Sequence, residues 1–332
     1  ARCAGGGRAP ALHGSGPAGL NVPGAMLTCA PVLSLLVGVS MLWLRIALLL
    51  LLVVINTLIH VPPLLVLGVL KAIVPLQGVR VGLNPLLTGL AESWIAVNSA
   101  MINTLTSTRF DVVEQPALKR DGHYLVLANH QSWVDILVLQ KVFNRKIPLL
   151  RFFLKRSLIW VPVLGLAWWA LDFPFMGRYT RKEIARNPEL GKRDIETTRR
   201  ACEKFRAIPV SVMNFVEGTR FSTAKHASQQ SPYQHLLKPK SGGVAFVLDA
   251  MGDGLHSVLD VSIVYPDGRP SMVDLMANRV GQVRVLVKER VIPVELGQGN
   301  YQDDRAFRAR FQQWMNGLWQ EKDADINELL DR

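Results

Sequence analysis

The sequence predicts an α/β protein in which helices cover both faces of a mixed, mainly parallel sheet, preceded by a membrane-embedded helical hairpin. Short runs rich in β-branched and aromatic residues alternate with helical stretches, a pattern typical of such sheets. One run, HYLVLAN, is nearly continuously apolar, as expected for a strand that is buried on both faces. The chain has 332 residues, enough for one large domain and additional segments.

Residues 1–25 are rich in glycine, alanine and proline and show no hydrophobic periodicity. This composition predicts a disordered segment or a non-native extension, and Met26 would be a sensible start of the protein. A cleaved signal peptide is not expected, because the apolar stretch that follows far exceeds the ~7–15 residues of a signal.

Residues 26–80 have the composition of a membrane-associated helical segment. Arg45 is the only formally charged residue among residues 26–70, and 25 residues separate it from Lys71. At ~1.5 Å rise per residue, this length is sufficient for one tilted span. Because Pro62-Pro63 interrupts the run, the segment is expected to be either a kinked span or a hairpin that enters one leaflet and returns.

Residues 81–332 are predicted to form the α/β domain, with helices over residues 84–108 and 134–143. Strands are expected in the segments RFDVVE, HYLVLAN, KIPLLRFFLK, PVSVMNFVEG, VLDVSIVY and QVRVLVKERVIPV. In the C-terminal segment, one helical stripe consists of Phe307, Phe311, Trp314 and Leu318. Core packing is the default interpretation of this stripe, and docking to a membrane interface is the alternative.

The basic residues are concentrated in one part of the chain. Residues 141–206 contain 16 Lys and Arg against 6 Asp and Glu, a net charge of +10 (16 − 6) out of the formal +12 of the whole chain. Such a block favours anionic lipid headgroups or phosphorylated substrates as partners. No nucleic acid is expected as a partner, because no nucleic-acid-binding signature accompanies the charge. The three cysteines and seven histidines show no metal-ligand spacing, so no structural metal is expected.

A polar break in the apolar stretch LVLANHQSWVDILVL contains His130 and Asp135. If HYLVLA is a strand, His130 lies in the loop at its carboxyl end, where open α/β sheets bind ligands. Asp135 lies about one helical turn later, in a position to accept a hydrogen bond from one imidazole nitrogen. The other nitrogen is then a base that faces the cleft. A satisfied capping pair is the alternative interpretation of this spacing when it is taken alone.

The chain contains no G-x-S-x-G motif that would supply an activated serine. A histidine-carboxylate pair without a protein nucleophile suits a reaction in which the substrate supplies the hydroxyl. His130 would then deprotonate an alcohol that attacks an activated acyl group.

A second polar loop follows the predicted strand SVMNFV and consists of Glu217, Gly218, Thr219 and Arg220. Glycine permits a tight turn, and the planar guanidinium of arginine binds phosphate through two parallel hydrogen bonds. Glu217 is expected to orient Arg220 or a substrate hydroxyl. A plain surface turn is the alternative.

Arg178 ends a further apolar run, LDFPFMGRY. A phosphate held by Arg178 and Arg220 would place the hydroxyl of a substrate at His130. Either arginine could instead be a structural ion-pair partner.

These segments, in this order, resemble the sequence blocks of the glycerophospholipid acyltransferase family, of the 1-acylglycerol-3-phosphate acyltransferase type. NHQSWVD is similar to the NHxxxxD block, FPFMGR to the second block and FVEGTR to the EGTR block, while VSIVYP stands where a proline-containing fourth block is expected. The resemblance covers Leu42 to Trp319 and is especially close, in GKRDIETTRRACEKF, to a bacterial inner-membrane subclass. The chain departs from the family pattern at Met176-Gly177 and Tyr265-Pro266.

The resemblance implies transfer of a fatty acyl chain from acyl-CoA or acyl carrier protein to lysophosphatidic acid or a related lysophospholipid, without a further cofactor. Residues 81–332 would be the catalytic domain, and membrane phospholipids would be its surroundings. His130 would be the general base and Asp135 would orient it. The glycerol phosphate would be bound by Arg178, Glu217, Gly218, Thr219 and Arg220.

The resemblance also implies a location in the bacterial inner membrane, with the active site facing the cytoplasm. Two other functions remain open at this stage. One is a basic, membrane-tethered protein that binds lipid or nucleic acid without catalysis. The other is a lipase or transacylase that acts on the same class of lipid.

Overall fold

The structure, a computed structural model, describes residues 30–332 with the exception of Arg178, Thr180, Arg181, Lys182, Ile184, Ala185, Ala207, His256, Gln298, Asn300 and Gln302. The chain divides into two compact units, residues 1–41 and residues 42–332. The segment 1–25, expected to be disordered or non-native, lies outside the described residues, and so does Arg178.

The apolar N-terminal segment forms one long helix, α1 (Ala30–Ile73). By length and composition, its part Met41–Ile73 is sufficient to cross a membrane, and only 17% of its most apolar stretch is buried. The helix continues through Pro62 and Pro63 without turning back. The chain therefore does not turn back at Pro62-Pro63, where the predicted hairpin would bend.

The second helix, α2 (Gln77–Leu105), explains why the prolines do not break α1. It runs antiparallel beside α1, and Asn56 Nδ2 donates to Asn98 Oδ1 at 2.9 Å. One turn later, Ser93 Oγ lies 3.0 Å from His60 Nε2. These contacts hold α1 in line where proline removes backbone hydrogen bonds, so packing overrides the local tendency to break the helix.

Six strands form the main sheet. They are β1 (Arg109–Glu114), β2 (His123–Ala128), β3 (Leu150–Phe152), β6 (Val210–Phe215), β7 (Ser257–Val264) and β8 (Gln282–Arg290). Their order is β1-β8-β7-β2-β6-β3. The β7–β8 pair is antiparallel, and the other neighbouring pairs are parallel. The predicted mixed, mainly parallel sheet is thus confirmed. Two further short strands, β4 (Leu154–Lys155) and β5 (Phe175–Met176), pair with each other.

The remaining helices are α3 (Val134–Phe143), α4 (Leu164–Ala170), α5 (Pro188–Arg206), α6 (Thr223–Gln229), α7 (Ser241–Met251), α8 (Met272–Met276), α9 (Val294–Gly297) and α10 (Arg305–Asp331). Short 3-10 segments occupy Arg156–Trp160 and Gly252–Gly254. The central strand β2 shows how the sheet is covered. Its side chains alternate, so Leu125 and Leu127 enter a core with α7 and α10, whereas Val126 and Ala128 enter a second core with α3.

The C-terminal helix α10 is part of the first core. Phe307, Phe311 and Leu318 are buried there, and Trp314 packs against them, which confirms the interpretation of this stripe as core. Farther along α10, the fully buried Lys322 pairs with Asp260 of β7 and donates to the carbonyl of Val261 at 2.6 Å. A buried charge is tolerated when it is paired and hydrogen-bonded, so this contact fixes α10 against the sheet.

Candidate active site

The two polar loops singled out in the sequence leave the sheet side by side. They follow the adjacent parallel strands β2 and β6, whose last residues, Ala128 and Phe215, are register partners. Asn129 continues the edge of β2: its side chain accepts from the amide of Ile263 at 2.8 Å and donates to the carbonyl of Ile263 at 2.9 Å. The next residue, His130, therefore leaves the sheet from a fixed point at its carboxyl end.

His130 and Asp135 are in direct contact. His130 Nδ1 lies 2.8 Å from Asp135 Oδ2, and Asp135, in the first turn of α3, is fully buried. The same carboxylate oxygen accepts from the backbone amides of Gln131 at 2.7 Å and Ser132 at 2.9 Å. Because α3 begins directly after this loop, the carboxylate also serves as a cap for the turn that presents the histidine.

The imidazole of His130 is held in one orientation. A carboxylate is a hydrogen-bond acceptor, so Nδ1 carries the proton in this pair and Nε2 is the unprotonated nitrogen of the neutral ring. Nε2 has no hydrogen-bond partner among the residues that the structure describes. The ring stacks on Phe215, with centroids 3.8 Å apart and an interplanar angle of 13°. Packing and hydrogen bonding together fix the direction in which Nε2 points.

Tyr265 is a further residue of the site. Its hydroxyl donates to Asp135 Oδ1 at 2.6 Å, and its side chain is buried at the end of β7. Burial and the neighbouring Asp135 raise the pKa of the Tyr265 hydroxyl well above its usual value, so it remains a donor. Tyr265 departs from the family pattern and ends a predicted strand, but local sequence does not indicate that this strand pairs with β2.

Glu217 connects three loops, which are its own, the loop of His130 and the loop of Leu237. It is fully buried, and its two oxygens accept from the backbone amides of His130 at 2.8 Å and Leu237 at 3.0 Å. Burial raises the pKa of the Glu217 carboxyl to about 7, although both amide hydrogen bonds act in the opposite direction. The expectation that Glu217 orients Arg220 is not what the structure shows, because its carboxylate holds the backbone of the histidine loop instead.

The rest of this loop forms a tight turn beside His130. Gly218 has φ +68°, a left-handed conformation that favours glycine. A Cβ at this position would lie 2.9 Å from the flexible end of the Lys240 side chain, a contact that a shift of the lysine relieves. Thr219 Oγ1 lies 2.7 Å from Lys225 Nζ. The guanidinium of Arg220 lies over the ring of Trp133, 4.9 Å from its centroid.

Further cations lie near the turn, and no motif in the sequence indicates them. Lys225 is in the first turn of α6, whereas Lys240 and Arg269 come from more distant segments. Arg269 stacks on Phe221 at 3.9 Å, and partial burial lowers the pKa of Arg269 while nearby Glu217 acts against this shift. With Lys225 and Lys240, it adds positive charge beside Arg220. This cluster, Arg220, Lys225, Lys240 and Arg269, has the chemistry to bind a phosphate group.

A cavity of about 1050 Å³ begins at His130. Polar residues lie at this end, including Thr219 and Lys240, whereas most of the wall is apolar and comes from α1, α2, α3 and α4. The apolar side chains of this wall include Leu64, Leu149, Phe152, Leu164, Trp168 and Phe173. The cavity thus combines a few polar groups with a large apolar space, as ligand pockets do.

The geometry brings together most of the residues predicted from the sequence. His130, Gly218 and Thr219 line the cavity, and the buried Asp135 and Glu217 are hydrogen-bonded to His130. Arg220 follows in the same turn and lies over Trp133, which also lines the cavity. Their roles in catalysis and binding remain predictions.

Comparison with known proteins agrees with this architecture. The family model described as Acyltransferase matches residues 109–266, which include both polar loops. An uncharacterised acyltransferase of Saccharomyces cerevisiae is 26% identical over 252 residues, covering 65% of this chain and 61% of the relative. The 1-acyl-sn-glycerol-3-phosphate acyltransferase gamma of Mus musculus is 22% identical, covering 61% and 52%. Lysocardiolipin acyltransferase 1 of Mus musculus is 24% identical, covering 54% and 49%.

This chain therefore spans between about half and three fifths of the length of these curated relatives. Among solved structures, the 1-acyl-sn-glycerophosphate acyltransferase PlsC from Thermotoga maritima has the same fold, with a TM-score of 0.50 over 88% of this chain and 98% of that one. At 15% identity this likeness concerns the fold. The bacterial subclass stays a prediction. The chain is thus similar to acyltransferases of glycerophospholipids, and both polar loops of the site lie inside the segment that matches the Acyltransferase family model.

Proposed function

We propose that this chain is a membrane-bound O-acyltransferase that moves a fatty acyl group from acyl-CoA or acyl carrier protein to the free hydroxyl of lysophosphatidic acid or a related lysophospholipid. The observation that carries the proposal is the contact of His130 with Asp135, at 2.8 Å, beside a cationic turn and at the mouth of an apolar cavity. The family and its relatives support acyl transfer to a lysophospholipid.

In the proposed reaction, Nε2 of His130 takes the proton of the lysophospholipid hydroxyl as its oxygen attacks the thioester carbonyl. The new C–O bond forms, the C–S bond breaks, and the thiolate of the donor leaves and takes up the proton from the imidazolium. Asp135 stabilises the imidazolium while it exists. The thioester is already activated, so the reaction needs no covalent enzyme intermediate, metal or further cofactor.

The substrate phosphate is proposed to bind at Arg220, Lys225, Lys240 and Arg269. Aromatic rings support two of these cations, because Trp133 lies under Arg220 and Phe221 under Arg269. Gly218 permits a ligand to approach the backbone of the turn. Arg178 remains a proposed phosphate ligand on the basis of the resemblance.

The acyl chain is proposed to occupy the apolar cavity. A volume of about 1050 Å³ suits a ligand of lipid size, and its apolar wall removes methylene groups from water at ~0.8 kcal/mol each. Helix α1, whose part Met41–Ile73 suggests membrane association, contributes to this wall. We propose the bacterial inner membrane as the location, with the active site on the cytoplasmic side, where acyl-CoA and acyl carrier protein are available.

The proposal is tested with purified protein, a panel of acyl-CoA and acyl carrier protein donors, and lysophosphatidic acid or other lysophospholipids as acceptors. Mass spectrometry should detect diacylated product and free thiol in equal amounts. His130→Ala should lower the rate by about 10²–10⁴-fold, the usual contribution of a general base.

The matched control is His123→Ala at the amino end of the same strand, β2, which should retain activity. A His130→Ala protein with an unchanged melting temperature and near wild-type turnover would refute the role of this residue. Thiol release that does not require an acceptor would indicate hydrolysis of the donor, and acyl transfer between phospholipids without thioester would indicate a transacylase.

A further inference from the structure

The cavity wall opposite the sheet includes a segment with two apolar faces. This segment, which we call the tryptophan wall, consists of the 3-10 turn Arg156–Trp160 and helix α4 with the loop between them, residues 156–170. Leu158, Leu164, Ala167 and Trp168 line the cavity.

The other face of the tryptophan wall is exposed. Trp160 is 84% exposed and Trp169 is 41% exposed, with Val163 and Leu166 between them in sequence also exposed. Tryptophan rarely leaves this much apolar surface in water, and clusters of such residues mark binding sites for proteins or membranes.

The wall is closely packed where it carries these side chains. A Cβ on Gly165 would lie 2.0 Å from the carbonyl oxygen of Ile159, so α4 starts in close contact with the preceding turn. Val163 has φ +66°, a conformation that β-branched residues rarely adopt. Local backbone strain of this kind persists when the surrounding structure imposes it, often at functional positions. The exposed tryptophans are therefore presented by a fixed loop.

The tryptophan wall adjoins the exposed surface of α1. A Cβ on Gly68 would contact Ala170 at 2.5 Å and the ring of Trp169 at 3.9 Å, so the two helices pack closely at this point. Val66, Val69 and Leu70, on the same turns of α1 as Gly68, are exposed. The apolar surface of the candidate membrane helix thus continues onto Trp169.

The positively charged residues at the start of the wall favour a membrane surface as its binding partner. Lys155 and Arg156, at the start of the wall and one 3-10 turn before the exposed Trp160, are exposed cations. Tryptophan together with Lys and Arg is the combination that occupies the headgroup region of membranes, where the rings lie below the phosphates and the cations contact them. A protein partner would not explain the continuity with α1.

We propose that the tryptophan wall lies in the surface of an anionic phospholipid bilayer, with Trp160 and Trp169 inserted and Lys155 and Arg156 at the headgroups, as a second membrane contact besides α1. The inference rests on the proposed function in one respect: the inner face of the same wall lines the cavity that would hold the acyl chain. The wall then lies between that cavity and the bilayer, which places the cavity at the membrane surface.

A fluorescence experiment tests this placement in the full chain. With Cys3 and Cys29 replaced by serine and the buried Cys202 kept, a single cysteine is introduced as Trp160→Cys and labelled with an environment-sensitive dye. The protein is reconstituted into phosphatidylcholine–phosphatidylglycerol vesicles with bromine at different acyl positions. We expect a blue shift and strongest quenching by bromines about 5–10 Å below the headgroups.

The matched control carries the same dye through Val294→Cys, a position that is 86% exposed and far from the wall in sequence. This label should show neither blue shift nor quenching. Equal behaviour of the two labels would overturn the proposal. Shielding of the label at position 160 in detergent that increases with protein concentration would indicate a second copy as the occupant, and would also overturn it.

An activity measurement separates this proposal from the proposed function. The double variant Trp160→Ser/Trp169→Ser should transfer acyl groups normally to acceptor in detergent micelles, but lose about tenfold in rate on acceptor within vesicles. An equal rate in both settings would refute the second membrane contact while leaving the acyltransferase intact. If neither wild type nor variant transfers acyl groups, the proposed function fails, and the quenching result still stands by itself.

Discussion

Asp135 is the residue on which the orientation of the candidate base depends. Its two oxygens accept from the His130 ring, two backbone amides and the Tyr265 hydroxyl, at distances of 2.6–2.9 Å. The carboxylate, which α3 carries, is thereby held from the loop after β2 and from the residue that follows β7. Pre-organisation of this kind lowers the cost of forming an imidazolium, because the partner of that charge does not have to move.

Removal of one of these hydrogen bonds should slow the reaction without disturbing substrate binding. Tyr265→Phe deletes the donor to Asp135 Oδ1, and a hydrogen bond to a charged group contributes ~1.5–3 kcal/mol. We expect kcat to fall about tenfold, while KM for the lysophospholipid stays the same because Tyr265 is buried behind Asp135.

The measurement is a steady-state comparison with Tyr124→Phe, an equally buried tyrosine at the start of β2 whose hydroxyl accepts from Lys119. A change in KM alone, or equal losses in the two variants, would show that Tyr265 does not act through Asp135.

Helix α10 lies outside the matched family segment, residues 109–266, yet it holds the loop that supports Glu217. Asp323 accepts from the amides of Gln234 at 2.6 Å and His235 at 2.8 Å. Trp319 Nε1 donates to the carbonyl of Leu237 at 3.0 Å, and the amide of Leu237 donates to Glu217. A continuous series of hydrogen bonds therefore runs from α10 to the backbone of His130.

We call these hydrogen bonds from Trp319 and Asp323 to the Leu237 loop the α10 clamp. They lead to a prediction about this helix. Asp323→Asn keeps the side-chain shape but replaces one carboxylate oxygen with a donor, so one of the two loop amides loses its acceptor. Residues 231–240 should exchange their amide hydrogens faster, and kcat should fall by roughly three- to tenfold, corresponding to about 1 kcal/mol.

Glu328→Gln removes a carboxylate from an exposed position of the same helix and serves as the control, with unchanged exchange and turnover expected. Unaltered protection of residues 231–240 in Asp323→Asn would contradict the clamp.

The free energy of unfolding of the whole protein should fall as pH rises from mildly acidic to neutral, because the carboxyl of Glu217 is buried. The pKa of Glu217 is raised from 4.5 to about 7, with burial as the main cause. The folded state therefore binds this proton more tightly than the unfolded state. As pH rises through this interval, the free energy of unfolding should fall by about 3 kcal/mol.

Melting temperatures of wild type and Glu217→Gln, measured in detergent from pH 5 to pH 8, test this dependence. Glutamine remains neutral, so the advantage of wild type over the variant should shrink by roughly 5–10 °C as pH rises. A temperature difference that is the same at all pH values would contradict the raised pKa of Glu217.

Local patterns were sufficient to predict much of this fold. The continuous apolar run of β2 and the segments of β1, β6, β7 and β8 predicted the strands, and the break after Ala128 predicted the loop that carries His130. These features depend on residues close together in sequence. The hairpin at Pro62-Pro63 was wrong because contacts with α2, which depend on residues more than thirty positions away, decide the course of α1 there.

The difference between contacts that are close in sequence and contacts that are distant also explains which site residues were not predicted. Tyr265 is 130 residues from Asp135, and Leu237 is 20 residues from Glu217. Arg269 packs on Phe221, and Lys240 lies next to Gly218, through contacts between segments that are separated in sequence. Neither carries a motif of its own, so sequence spacing contains no signal for them.

The hydrogen bond from α10 to the Leu237 loop has a consequence for folding while the chain is synthesised on the ribosome. Trp319 follows Leu237 by 82 residues. At ~5–20 residues per second, a ribosome adds it roughly ten seconds later. A nascent chain that already contains the two polar loops after β2 and β6 therefore still lacks Trp319, whose indole supports them through its hydrogen bond to Leu237.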